Sequence, residues 1–277
     1  MPNSFGERLL EAFEAKGQLC VGIDPHASLL NAWDLTDSAH GLREFSLRVV
    51  DACAGQVSLI KPQVSFFERF GAAGYTVLEE VTQAAKAADL LVIADAKRGD
   101  IGTTMDAYLE AWFGNLSGLH ADALTVSPYL GLGTISAGFA RYAGEGKGVY
   151  SLVATSNPEG ASVQLASSNG TTLAGDQWRQ LAALNAGASA LGNFGAVLGA
   201  TLDLDAFAID RNDLKTPILA PGFGAQGAKL SDAKAIYGNL SRQVAYSVSR
   251  SVLQAGARNL QSAISTSNAE LFSGISQ

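Results

Sequence analysis

The sequence predicts a (β/α)8 barrel built as one domain over residues 1–277, with an extra helix ahead of the first strand. Three observations predict it. Eight short apolar runs are separated mostly by stretches of helical periodicity, the pattern of parallel strands joined by crossover helices. No linker or compositional boundary divides the 277 residues, a length that α/β barrels fill as a single unit. The alternative, an open doubly wound sheet, requires Gly-x-Gly-x-x-Gly directly after the first strand, and Gly22-Ile-Asp-Pro-His is not that pattern.

The elements follow in order. Ser4 to Lys16 reads as an amphipathic helix, with Phe5, Leu9, Leu10 and Phe13 at helical spacing and Gly17 as its C-cap. The first strand, Leu19 to Ile23, ends in Asp24-Pro25, and a long loop from Pro25 to His40 precedes a helix over Leu42–Ala54. The second strand starts at Val57 and ends in Lys61-Pro-Gln. A helix over Tyr75–Ala88 leads to the third strand, and another over Met105–Phe113 follows it. Ala123-Leu-Thr-Val and Gly148 to Thr155 are strands four and five, and the helix after them covers Trp178–Ser189. Strand six starts at Phe194, although its glycines weaken the pattern, and the small-residue bias of Ala186–Ala200 reads as close helix–strand packing. Pro217 to Ala220 and Gln243 to Ser249 are strands seven and eight, and a helix over Ser262–Phe272 closes the chain.

Composition narrows the function. With 47 % hydrophobic residues the chain can bury a full core, and a net charge of −7 without any dense Lys/Arg cluster argues against a nucleic-acid surface. Cys20 and Cys53 form no metal-binding spacing and fit small core positions in a reducing compartment. The first residues carry no basic-then-apolar signal, and the apolar runs are too short to span a bilayer, so a cytoplasmic protein with no membrane partner is expected. Asn115-Leu-Ser and Asn169-Gly-Thr are then chance glycosylation triplets. His26, His40 and His120 are scattered, and no metal site is expected.

The informative stretch is Val92 to Thr104, Val-Ile-Ala-Asp-Ala-Lys-Arg-Gly-Asp-Ile-Gly-Thr-Thr. An apolar run here ends in charge rather than in a turn. Strand alternation points Asp95 and Lys97 to the same face, with Asp100 three residues on where the chain turns, so the three charges are expected within a few ångströms. Charges placed there cost several kcal/mol to desolvate unless they pair. A structural ion pair would explain one Asp-x-Lys, but the longer pattern after a buried strand favours a functional array.

In a barrel the C-terminal strand ends share one mouth, which brings Asp24, Lys61, Asp95, Lys97, Ser156 and Arg250 to a common pocket. Gly222-Phe-Gly224 after strand seven and Arg250 after strand eight stand where this fold usually binds phosphate. Glycine amides can approach an anion, and a guanidinium fork suits its oxygens. A tight turn explains the glycines equally well.

These residues resemble the signature of orotidine 5′-phosphate decarboxylases, over Gly22 to Arg250. The resemblance implies that Asp24 and Lys61 hold the ribose hydroxyls and brace the charges. It implies that Lys61, Asp95, Lys97 and Asp100 are the catalytic Lys-Asp-Lys-Asp array. Asp100, Ile101 and Thr104 would enter the site of the second subunit of a homodimer. Ser156 would contact the pyrimidine, Gln226 would belong to the closing loop, and Arg250 would hold the phosphate beside Pro221, Gly222 and Gly224. Orotidine monophosphate would be the substrate and no cofactor would be needed. Lys61-Pro-Gln-Val-Ser-Phe-Phe-Glu and Ala220-Pro-Gly-Phe-Gly-Ala-Gln-Gly look like the longer branch of the family, whereas Arg98-Gly99 and the Pro25–His40 segment depart from the shorter one.

Other readings stay open on the residues alone. A metal-dependent barrel acting on a sugar phosphate shares Asp-x-Lys-x-x-Asp and would be sensitive to a chelator. A Schiff-base aldolase needs a lysine of depressed pKa, which surrounding carboxylates oppose. A non-catalytic nucleotide binder has no use for a costly charge array.

Overall fold

Ser4 opens the first helix, α1 (Phe5–Lys16), through a capping box: its hydroxyl accepts from the Glu7 N–H, and the Glu7 carboxylate accepts from the Ser4 N–H. The helix ends at Gly17, whose φ of 81° suits a residue without Cβ. Phe5, Leu9 and Phe13 are buried along one face. They pack with Cys20, Leu59, Ile93, Ala123 and Tyr150, residues close to the strand starts, so α1 plugs the N-terminal mouth of the barrel. The Phe5 and Tyr150 rings meet edge to face with centroids 6.0 Å apart. Leu9 is fully buried, so Leu9→Ala is expected to cost about 2–5 kcal/mol of stability, read as a shifted denaturant midpoint. A loss below about 0.5 kcal/mol would place α1 outside the cooperative core.

The computed structural model describes residues 3–276. After α1 come β1 (Leu19–Ile23), β2 (Leu59–Pro62), β3 (Leu91–Arg98), β4 (Ala123–Val126) and β5 (Gly148–Ala154). A small antiparallel hairpin, β6 (Ser167–Ser168) and β7 (Thr171–Thr172), stands before β8 (Phe194–Leu198), β9 (Ile218–Ala220) and β10 (Val244–Val248). Leaving out the hairpin, eight parallel strands close in the order β1-β10-β9-β8-β5-β4-β3-β2, the topology of a (β/α)8 (TIM) barrel. All eight expected strands are present. Their burial is nearly continuous, as strands covered on both faces require.

Helices cover the outside: Ala39–Cys53, Gly71–Ala87, Gly102–Phe113, Leu132–Ala143, Leu173–Asn185 and Leu260–Ser276. The helix Leu132–Ala143 is absent from the sequence expectation. It buries Leu132, Ile135, Phe139 and Tyr142 at helical spacing, but Gly133, Gly138 and Thr134 between them lower its propensity and mask the period. The Pro25–His40 loop contains a helical segment, Ala27–Ala32. Between β8 and β9 the described chain has no helix; Leu204, Phe207 and Ile209 are buried there instead. Close packing of the Ala186–Ala200 stretch on the preceding helix is visible at Gly192, where an added Cβ would stand 1.9 Å from Oδ1 of Asn185, the last residue of that helix.

Candidate active site

The third strand carries the centre of the site because it bulges. Between Ala94, which pairs with Leu124, and Arg98, which pairs with Val126, β3 uses four residue steps against two in β4. A bulge re-aims side chains that regular alternation would send outward. Lys97 absorbs most of the distortion, with φ of 51° in the left-handed region. For a residue bearing a Cβ this costs of order 1–3 kcal/mol and persists only where the surroundings enforce it. The expectation that plain alternation aligns Asp95 and Lys97 therefore reaches the right result by an incomplete route.

Asp95 is the hub. Its Oδ2 accepts from Lys61 Nζ at 2.8 Å, and its Oδ1 from Lys97 Nζ at 2.5 Å and from Thr125 Oγ at 3.0 Å. The Thr125 hydroxyl in turn accepts from the Lys97 N–H at 2.9 Å. Lys61 and Asp95 are nearly enclosed, whereas the Lys97 side chain keeps 45 % exposure, facing the cavity. Burial alone would push the Asp95 carboxyl up, but the charges of Lys61 and Lys97 outweigh it and hold it well below the usual carboxylate range. Burial likewise opposes the Lys61 charge, and Asp95 and Asp24 outweigh it, so the ammonium is held above its ordinary value. Lys61 is thus kept protonated by neighbouring carboxylates.

These groups line a cavity of about 300 Å³ at the C-terminal mouth, together with Asp24, Ser156, Pro221, Gly222, Gln226 and Arg250. Ser156 Oγ donates to Gln226 Oε1 at 3.3 Å, which ties the loop after β5 to the loop after β9. Gly222 has φ of 119°, a backbone that favours glycine and lets the loop turn along the cavity wall. Two buried oxygens on this wall, Asp24 Oδ1 and Ser249 Oγ, have no hydrogen-bond partner among the described residues, leaving them for a ligand. Gln63, Thr125, Ser247 and Ser249 also line the cavity and escaped sequence reasoning. Thr125 and Ser247 alternate with apolar residues inside buried strands, and only their register opposite the charged positions could have singled them out.

Four expected site residues stand elsewhere. Asp100, Ile101, Thr104 and Gly224 do not line the cavity. Asp100 Oδ1 accepts from the Ile101 N–H at 2.8 Å, and among the described residues it makes no ion pair with Lys97. Of the three charges expected within a few ångströms, Asp95 and Lys97 meet directly, while the Asp100 carboxylate bonds its neighbour's N–H outside the residues that line the cavity. Ile101 is 59 % exposed, and Thr104 is exposed on the first turn of the next helix. Gly224 packs behind the loop against Ser251, donating its N–H to Ala228 O. Among the described residues, no three or more His, Cys, Asp or Glu side chains are grouped to hold a metal ion.

The model of the orotidine 5′-phosphate decarboxylase / HUMPS family matches residues 17–264, from just before β1 into the last helix. The chain belongs to that family. The orotidine 5′-phosphate decarboxylase of Streptomyces coelicolor is 50 % identical over 254 residues, covering 91 % of this chain and 90 % of the relative. That of Salinispora arenicola is 47 % identical over 254 residues, with 91 % of each chain covered. The crystal structure of a candidate orotidine 5′-phosphate decarboxylase from Streptomyces avermitilis superposes with a TM-score of 0.94 at 46 % identity, covering 99 % of this chain and 97 % of that one. The fold assigned from the sequence is thus that of a decarboxylase-family barrel, with the charged cavity at its C-terminal mouth. No helix of the described residues is long and apolar enough to cross a membrane.

Proposed function

We propose that the chain converts orotidine 5′-monophosphate to uridine 5′-monophosphate and CO2, with Lys97 as the residue that meets the reacting carbon. The observation that carries this reading is the array itself: an ammonium directed into the cavity, braced by a buried carboxylate that is braced in turn by a second lysine. Kinship of about half the residues with proteins named orotidine 5′-phosphate decarboxylase supplies the substrate.

The chemistry explains the need for fixed charge. When the C6–carboxylate bond breaks, CO2 leaves and the electron pair stays on C6, in the plane of the ring, where the π-system cannot accept it. Lys97 stabilises that carbanion and then transfers a proton from Nζ to C6. The reaction needs no external electron sink on this route. A preorganised charge acts without reorganisation at the moment of reaction, which makes such terms the largest in many enzymes. Arg250 and the Gly222 turn are suited to the phosphate, Asp24 to a ribose hydroxyl, and the Ser156–Gln226 pair to the pyrimidine. The phosphate is remote from the broken bond, so its binding energy can serve orientation and loop closure. In this reading Asp100, Ile101 and Thr104 reach the site of the partner subunit of a homodimer, which fits their location outside their own cavity.

The test is loss of the orotate absorbance on mixing purified protein with orotidine monophosphate, with and without a chelator. Turnover in both is expected. No turnover would sink the reading, and turnover abolished by the chelator would sink its metal-free mechanism.

A further inference from the structure

We propose that Arg98 and Glu68 are positioning residues, a clamp outside the cavity that fixes the left-handed backbone of Lys97 and so aims its ammonium. The clamp explains two sequence features that the reaction itself leaves unused: Arg98-Gly99 after Lys97, and the glutamate ending Lys61-Pro-Gln-Val-Ser-Phe-Phe-Glu68.

The geometry brackets Lys97 on both sides. Arg98 Nη1 donates to the carbonyl of Ala96 at 3.1 Å, so the side chain reaches back across Lys97 and pins the peptide preceding it. Arg98 Nη2 donates to Glu68 Oε1 and also to the Tyr75 hydroxyl at 3.3 Å. Tyr75 donates its own proton to Glu68 Oε1 at 2.7 Å, which closes a triangle. The guanidinium lies 5.6 Å and 6.0 Å from the centroids of the Tyr108 and Trp112 rings, whose faces favour a cation. On the other side of Lys97, the Arg98 carbonyl accepts from the Ser127 N–H at 2.8 Å. Gly99 then passes so close to Ser127 O that an added Cβ would stand at 2.6 Å.

Glu68 is anchored to the same machinery from behind. It ends the short helix Ser65–Glu68, which starts three residues after Pro62 at the end of β2. The Val64 N–H and the Gln63 side chain both donate to the Asp95 carbonyl, at 3.3 Å and 3.2 Å. The strands of Lys61 and Lys97 are therefore tied twice, by Asp95 inside the cavity and by the Arg98–Glu68 pair outside it. An inverted backbone at a Cβ-bearing residue persists only where its surroundings over-determine it, and here they do so from two directions. Arginine suits the position because one planar fork serves a carboxylate and a carbonyl at once in a fixed geometry, which a flexible ammonium does not hold.

The test rests on the proposed role of Lys97, so it begins with the wild-type protein and Lys97→Ala. If those two do not differ in turnover, the proposed function fails and the clamp, which rests on it, falls with it. Given that difference, Arg98→Met and Glu68→Gln are expected to lower kcat about 10-fold or more, since misplacing a reacting group by an ångström can cost up to about 100-fold. KM for orotidine monophosphate and Kd for uridine monophosphate should move less than about threefold, because uniform binding is untouched. The preference for a nucleotide bearing an anionic oxygen at C6 over uridine monophosphate should shrink by the same factor as kcat. Arg98→Lys should recover only part of the loss. Tyr75→Phe removes one hydrogen bond without touching the ion pair, and should move kcat in the same direction if Arg98→Met does not fold. Unchanged kcat in folded Glu68→Gln and Tyr75→Phe, or equal weakening of both nucleotides, would overturn the clamp.

Discussion

Lys97→Ala is expected to lower kcat by at least about 10²–10³-fold, the effect of deleting one preorganised group at the site of developing charge. Binding of uridine monophosphate should change little, because Lys97 bonds Asp95 in the free protein and in its proposed role meets the nucleotide only at C6. A comparable loss in kcat and kcat/KM would identify an interaction made in the transition state alone. The variant relieves nothing vital to the fold. Asp95 keeps its bonds to Lys61 and Thr125, so the buried carboxylate is not orphaned. Removing Lys61 instead would leave that carboxylate with Thr125 and, as its charged partner, only the half-exposed Lys97, and breaking a buried pair in this way costs roughly 3–5 kcal/mol. The two lysines are thereby separable, one by rate and the other by stability. A Lys97→Ala protein retaining a tenth of the wild-type rate would end the assignment.

The barrel was legible in the sequence because its strands are short apolar runs that end abruptly in charge. Leu19–Ile23 before Asp24 and Ile93-Ala94 before Asp95 announce both an element and its functional end. Composition hides elements in the opposite way. The helix Leu132–Ala143 packs four large residues on the barrel, but the glycines and hydroxyl residues between them dilute its periodicity. Within the site, the charged residues and, through the family resemblance, the loop residues Ser156, Pro221, Gly222 and Gln226 were visible, whereas neutral residues inside the strands were not. Thr125 holds both the Asp95 carboxylate and the Lys97 amide, yet a threonine inside Ala-Leu-Thr-Val reads as ordinary strand composition. The left-handed turn at Lys97 was invisible for a different reason. Lysine itself does not favour it, and partners distant in sequence help to hold the residue, Thr125 among them. Asp100 is visible in the sequence as a charge, yet the sequence does not show that its carboxylate bonds the Ile101 N–H instead of joining the Asp95–Lys97 pair.

Mixing two crippled proteins should decide where Asp100 acts. Lys97→Ala and Asp100→Ala are each expected to be nearly inactive, and their equal mixture, unfolded and refolded together, should recover roughly a quarter of wild-type activity in a closed two-fold dimer. The reasoning is combinatorial. Random pairing makes about half of the dimers heterodimers. In each heterodimer one site lacks both groups, while the other combines the intact Lys97 of one chain with the intact Asp100 of its mate. The structure motivates the experiment, since the Asp100 carboxylate turns to the Ile101 N–H rather than to Lys97, and Ile101 beside it is largely exposed. An aspartate serving its own chain's site would give the contrary result, because every heterodimer site would then carry one defect. Refolded homogeneous samples of each variant serve as the baseline, and refolded wild type gives the yield by which recovery is scaled. Recovery absent under those conditions, with wild-type refolding intact, would return Asp100 to its own subunit and leave the exposed Ile101 and Thr104 without a role in catalysis.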